Sequence, residues 1–259
     1  ESTPDGAYKA AQLVRACEGL KEACLAYGLP LVSGKDSMKN DARSGDKVVS
    51  VRPTLLVTLL GAAEDVRKTP STDFLHAGDY IYLLGETNGE LGGTMLERYA
   101  GLCCGRAPDV DFEKTTQLYD ALHRAIQGRI VQSCHDCSDG GLAVALAESC
   151  IGGRLGCSVI VDSLPGAVAK AGYSPQEEAN RFERLVRALF CETGGRFVVS
   201  VRKEDRERFE RTMSGTMHRL IGTVEAELLM KVSGGDKPVI ELPVEALVGA
   251  FKKTFAGER

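Results

Sequence analysis

Two carboxylates, a hydroxyl and a glycine pair crowd into His135-Asp136-Cys137-Ser138-Asp139-Gly140-Gly141, between a run that reads as a strand and a run that reads as a helix. A helix N-terminus exposes amide N–H groups without intrahelical partners, and glycines beside it let a phosphate approach the backbone closely. Asp136 and Asp139 would repel that phosphate unless a hard cation lay between them, and Mg²⁺ takes carboxylate and phosphate oxygens together. The alternative is local: Asp139 or Ser138 caps the helix and Asp136 is solvated. The residue types alone leave both open.

A second polar stretch, Gly34-Lys35-Asp36-Ser37, offers a cation, a carboxylate and a hydroxyl to an anionic ligand. It is not a P-loop, because Gly28 to Gly34 has one intervening residue too many and Asp36 stands where Ser or Thr should follow the lysine. Without further context it also reads as an ordinary polar turn.

Other constellations are weaker. Cys134 and Cys137 form a C-x-x-C, but no second such pair and no paired histidines complete a zinc site. His76, His123 and His218 are scattered, and no G-x-S-x-G nucleophile elbow is present. Glu192 and Arg196 flank Thr193-Gly194-Gly195, where an ion pair would shape a turn; presentation of the arginine to a phosphate is the other reading. No residue is singled out as catalytic.

The elements that must position these groups follow from periodicity. Apolar residues at steps of three and four from Tyr8 to Tyr27 predict an amphipathic helix ended by Gly28 and Pro30, then a short extended piece, Leu31 to Ser33. Val48 to Leu60 is rich in Val, Thr and Leu and predicts a long strand, with a linker from Glu64 to Ser71. Beyond it, strands are expected at Asp79 to Leu84, Ile130 to Cys134, Ser158 to Val161, Arg196 to Val201 and Leu220 to Val224. Helices are expected at Gly93 to Ala100, Phe112 to Ile126, Leu142 to Ile151, Gln176 to Leu189 and Lys203 to Met213, with one more strand and helix between Val239 and Phe251. The alternation specifies an α/β or α+β fold. One helix, one loop and one strand cannot enclose a core, so the first segment must lean on the second or on a partner.

The 259 residues suffice for one large domain or two unequal ones, and 36 acidic against 32 basic side chains leave no field to steer the chain toward nucleic acid or a membrane surface. Nine cysteines, several inside apolar patterns, read as reduced and mostly buried, which points to the cytoplasm. No signal-peptide pattern and no apolar run long enough for a membrane span is present.

Leu29-Pro30-Leu31-Val32-Ser33-Gly34-Lys35-Asp36-Ser37-Met38 resembles a signature of phosphoribosylformylglycinamidine synthases, and His135 to Ala147 (HDCSDGGLAVALA) is similar to a second one. Glu90-Leu91-Gly92-Gly93, Leu189 to Phe197 (LFCETGGRF) and Ile221-Gly222-Thr223-Val224 also look like that family, so the resemblance covers almost the whole chain. After the GKDS stretch the chain runs Met38-Lys39-Asn40-Asp41, where the large form of the family often repeats Ser-Met.

The resemblance implies a synthetase core of paired A-type and B-type domains, the fold shared with aminoimidazole ribonucleotide and selenophosphate synthetases. Residues 1–65 would be the end of an A-type domain and residues 66–259 a complete B-type domain. The implied reaction uses ATP and Mg²⁺ to activate the amide oxygen of formylglycinamide ribonucleotide as an iminophosphate, from which glutamine-derived ammonia displaces phosphate. By position, Asp136 matches a magnesium ligand and Ser138 a nucleotide contact; Asp139 joins the metal set and Gly140 and Gly141 the nucleotide set. Gly34 and Ser37 match residues lining the nucleotide and substrate side of the other loop, with Lys35 and Asp36 inferred from their place in it. Such cores carry two pseudo-equivalent sites, one reacting and one holding a structural ATP or ADP. A first A–B pair and a glutaminase domain or subunit are the implied partners, pairing between copies is a further expectation, and the segment alone is expected to be inactive. A nucleotide-holding assembly module and a sister synthetase are the competing expectations.

Overall fold

A computed structural model describes residues 6–35, 41–50, 53–102, 105–161, 164, 177–234 and 237–256. The chain divides into two compact units, Glu1–Glu64 and Asp65–Arg259.

In the first unit, helix α1 (Gly6–Tyr27) ends where Gly28 takes a left-handed φ of 65° and the Leu29 N–H turns back to Cys24 O. The helix buries no residue. A hairpin of β1 (Ala42–Ser44) and β2 (Lys47–Val49) follows, its turn made by Gly45 and Asp46 with Gly45 at φ 60°. The long strand expected from Val48 to Leu60 does not form: only its first two residues belong to β2, and residues 53–60 have no regular structure. Leu55, Leu56, Val57, Leu59 and Leu60 are exposed. High β propensity makes a strand only where another strand's N–H and C=O groups are available, and among the described residues none is paired with this run.

The second unit is a seven-stranded sheet with helices on both faces. Its strands are β3 (Tyr80–Leu84), β4 (Val131–Asp136), β5 (Gly156–Ile160), β6 (Phe197–Val201), β7 (His218–Glu225), β8 (Leu229–Gly234) and β9 (Lys237–Pro243), in the order β4-β6-β3-β7-β5-β8-β9. All neighbours are antiparallel except β5 and β8. Alternation splits the side chains between two cores. Ile81, Leu83 and Val198 face the helices α4 (Gly141–Gly153), α5 (Glu177–Phe190) and α7 (Val244–Ala256), while Tyr82, Leu84, Val199 and Val201 face α3 (Phe112–Gln127) and α6 (Arg206–Thr212). The remaining short helix, α2 (Met95–Ala100), lies in the connection after β3. Strand β8 is not among the expected elements, and β4 runs two residues further than expected, so His135 and Asp136 belong to the strand. The expected linker carries a 3-10 turn at Val66–Lys68 and a bridge from Ser71 to Ser133.

Register fixes which ends meet. Leu84 pairs with both Phe197 and His218, and Asp136 pairs with Phe197. The C-terminal ends of β3 and β4 and the N-terminal ends of β6 and β7 therefore share one edge, where the loops 85–94, 137–140, 191–196 and 213–217 gather.

Two features set testable stability limits. Gly222 in β7 lies so close to β5 that a Cβ would sit 2.0 Å from Ser158 O and 2.9 Å from Val159 Cα. Gly222→Ala should lower unfolding free energy by roughly 2–4 kcal/mol in urea titrations. At the opposite end of β3, Asp79 is buried, its Oδ2 has no hydrogen-bond partner, and desolvation raises its pKa despite His76 Nδ1 at 3.6 Å. A raised folded pKa favours the protonated form, so this contribution is full below the unfolded value of about 4 and is lost as pH rises through the folded pKa. Ionised Asp79 thus works against the fold at neutral pH. Asp79→Asn should melt about 2–4 °C above the wild type at pH 7, with the gap closing near pH 4; a gap independent of pH would contradict this origin.

Candidate functional site

Strand β4 delivers Asp136 to the sheet edge, and the chain then turns through Cys137, Ser138 and Asp139 into α4. Gly140 and Gly141 take φ values of 80° and 64°, a conformation that side chains resist, and a Cβ on Gly141 would meet Cys191 O at 2.4 Å. The turn is thus pressed against the 191–196 loop. Cys137 is buried and donates its N–H to Arg196 O at 2.9 Å. The side chains of Asp136, Ser138 and Asp139 are exposed. Neither Ser138 nor Asp139 caps α4: Gly140 is the N-cap and contributes no side chain.

The cap comes from elsewhere. Glu192 Oε1 accepts the N–H of Gly140 and the N–H of Met95, the first residue of α2, each at 2.8 Å. A carboxylate is well suited to this place, because the helix dipole favours negative charge at an N-terminus. The expected Glu192–Arg196 ion pair is absent. Arg196 is instead buried, donating to Thr87 Oγ1 at 3.1 Å and to Cys191 O, with its Nε left without a partner. It braces the 85–94 loop against the 191–196 loop.

His135 lies beside Asp136, its Nδ1 3.5 Å from Asp136 Oδ1 and its Nε2 2.8 Å from Glu148 Oε2 on α4. The two thiols of the C-x-x-C are held protonated: burial pushes Cys134 up to about 12 and Cys137 up to about 11. Thiolate chemistry has no foothold there. The seven described cysteines are all free, and Cys137, Cys150, Cys157 and Cys191 are buried.

Among the described residues no group of three or more His, Cys, Asp or Glu side chains is gathered closely enough to hold a metal ion. Mg²⁺ is commonly bound by one or two carboxylates together with phosphate oxygens and water. Two solvent-facing carboxylates, Asp136 and Asp139, with the Ser138 hydroxyl between them suit that shared mode and not a closed protein cage.

The same sheet edge encloses a cavity of about 400 Å³ on its α3 side. Glu86, Asn88, Asp111, Lys114, Thr193 and Gly195 are among the residues around it. Lys114 Nζ bridges Glu86 Oε1 at 2.9 Å and Asp111 Oδ2 at 3.4 Å, and hydrogen bonding to Glu86 holds its ammonium pKa above the ordinary lysine value. Thr193 Oγ1 donates to Glu90 Oε2 at 3.1 Å. Apart from the Thr193-Gly194-Gly195 stretch, nothing in the sequence pattern marks these residues, which come from the 85–94 loop, the start of α3 and the 191–196 loop.

In the first unit, Gly34 and Lys35 are exposed and a Cβ on Gly34 would meet open space; Asp36 and Ser37 lie outside the described residues. No helix is long and apolar enough to cross a membrane among the described residues.

The fold has counterparts among known proteins. Thermotoga maritima PurL complexed with FGAR superposes over 70% of this chain and 30% of its own, with a TM-score of 0.58 and 18% identity. PurL from the same organism complexed with ATP gives 70%, 27%, 0.53 and 19%. Escherichia coli HypE, a hydrogenase maturation protein, covers 68% of this chain and 51% of its own at a TM-score of 0.47 and 18% identity. The chain therefore spans less than a third of the PurL chains it matches. The profile of the AIR synthase related protein, C-terminal domain, matches residues 76–233. That match takes in the sheet edge, strands β3 to β7, helices α2 to α6 and more than half of the chain, which belongs to the AIR synthase related family through this C-terminal domain.

Proposed function

We propose that this chain is part of an ATP-dependent carbon–nitrogen ligase of purine biosynthesis, of the phosphoribosylformylglycinamidine synthase kind. In this reading residues 1–65 are the end of an A-type domain and residues 66–259 a B-type domain. The Asp136–Gly141 turn holds ATP or ADP with Mg²⁺. The observation that carries it is the division of labour at the turn: the helix terminus is capped by Glu192, leaving the carboxylates of Asp136 and Asp139 and the hydroxyl of Ser138 facing solvent. Support also comes from the two signature-like stretches around Gly34 and His135, and from the PurL structures, in which that protein is complexed with ATP and with FGAR.

Asp136 and Asp139 would hold the Mg²⁺, and Ser138 would donate to a phosphate oxygen. When bound, the ion supplies charge neutralisation between the carboxylates and the polyphosphate. The chain's own contribution is geometric. Strand β4 fixes Asp136 at the sheet edge, the two left-handed glycines turn the backbone into α4, and the 191–196 loop holds that turn in register. The stretch Gly34-Lys35-Asp36-Ser37 is proposed to face nucleotide and substrate from the A-type side. Formylglycinamide ribonucleotide and ammonia are the proposed co-substrates, with a glutaminase and a further A–B pair as proposed partners and the cytoplasm as the compartment.

Calorimetric titration with Mg-ADP should give saturable heat. Asp136→Ala should weaken binding at least about tenfold, as expected for loss of a charged ligand, and Ser138→Ala by roughly threefold to tenfold. Excess EDTA should abolish the difference between wild type and Asp136→Ala; equal affinities in the presence of Mg²⁺ would remove the metal assignment. The complete enzyme carrying this chain should release phosphate when given formylglycinamide ribonucleotide, ATP, Mg²⁺ and ammonia, and an absence of turnover would refute the assignment of the reaction.

A further inference from the structure

We infer that Glu192 is a positioning residue for the nucleotide turn, taking over the capping of α4 so that Ser138 and Asp139 stay free for ligand. This rests on the reading of that turn given above. A serine or aspartate next to the start of a helix ordinarily folds its side-chain oxygen onto the first amides. Here both types are present, at Ser138 and Asp139, and neither does so. The Gly140 N–H, on a buried residue, is instead taken by Glu192 Oε1 at 2.8 Å, from 52 positions along the chain.

The same oxygen accepts the Met95 N–H at 2.8 Å, so one carboxylate ties the α4 turn to the start of α2. Around Met95 the other amides are provided for locally: Thr94 Oγ1 accepts from the Glu97 N–H, and the Glu97 carboxylate accepts from the Gly93 N–H. Glu192 is placed by its own neighbours, since Cys191 N–H bonds Arg187 O and Arg196 anchors the far end of the loop in the core. Without the Glu192 carboxylate the α4 terminus has two acceptors within reach in sequence, the side chains of Ser138 and Asp139. Their recruitment as caps would keep the helix while withdrawing them from a bound phosphate and its cation. Loss of Glu192 is therefore expected to cost ligand affinity more than stability.

The test compares the wild type with Glu192→Gln, Glu192→Asp, Glu192→Ala and Asp136→Ala, using Mg-ADP calorimetry, thermal melting and amide hydrogen exchange without ligand. The Gln side-chain carbonyl can accept both N–H groups, so Glu192→Gln should bind within about threefold of wild type; Asp is one methylene too short to span them, and both it and Ala should weaken binding roughly tenfold. Exchange should rise together in the segments holding Gly140 and Met95 in the Asp and Ala variants and stay protected in the Gln variant. Should Glu192→Ala fail to fold, Glu192→Asp carries the same readings. Wild-type affinity in Glu192→Asp and Glu192→Ala, alongside lost binding in Asp136→Ala, would overturn the inference and leave the turn's assignment standing. No binding by the wild type would overturn both, and exchange rising in one segment alone would overturn the tie between α2 and α4.

Discussion

The amide hydrogens at the start of α4 need an acceptor, and the loop that supplies it organises the whole edge of the sheet where the loops gather. Glu192 caps Gly140, Arg196 O takes the Cys137 N–H, and Cys191 O lies where a side chain on Gly141 would be. Three successive contacts therefore press the 191–196 loop onto the turn. On its other side, Thr193, Gly194 and Gly195 form part of the wall of the α3-side cavity. The turn and the cavity are two faces of one partition, and Arg196, buried with hydrogen bonds but no carboxylate partner among the described residues, is the post that holds it upright. A buried guanidinium is costly unless it is well bonded, and here its bonds go to the two loops that most need fixing relative to each other.

Much of the second unit is legible in the residues. YIYLL and FVVSV are short apolar runs bounded by glycine or charge, and both become central strands, β3 and β6. Helix α3 is marked by its apolar period and begins at Asp111, whose carboxylate accepts the Lys114 N–H. Strand β8 escapes because LMKVSG offers only Met230 and Val232 as inward residues, too few for a period to declare itself. The run 53–60 misleads in the other direction, since its composition is that of a strand but pairing is a property of two segments and composition reports only one. At the site, the residue types in HDCSDGG are those that cation and phosphate chemistry would need, the role proposed for them. The capping alternative could not be settled from them, because the true cap lies far along the chain, where no spacing rule reaches.

The first unit stands apart from this account. Helix α1 has an apolar period yet buries nothing, and the leucines and valines of 53–60 are exposed. A helix and a two-stranded hairpin lack the layers needed to remove such surface from water. The sequence pattern and the structure agree that these residues have the chemistry of an interior without enclosing one.

The strand order has a consequence for how the protein is made. Strand β3, the first of the sheet to leave the ribosome, hydrogen-bonds only to β6 and β7, with Tyr80 opposite Val201 and Thr223. Translation proceeds at about 5–20 residues per second, so its edges stay unpaired for on the order of ten seconds while the intervening chain is synthesised. During that interval Ile81, Leu83 and Leu84 are exposed beside open backbone groups, the combination that invites pairing with a foreign strand. Pairing of β3 thus waits on the connectivity: its partners β6 and β7 emerge only after α3, α4 and α5, and α7 follows the last strand.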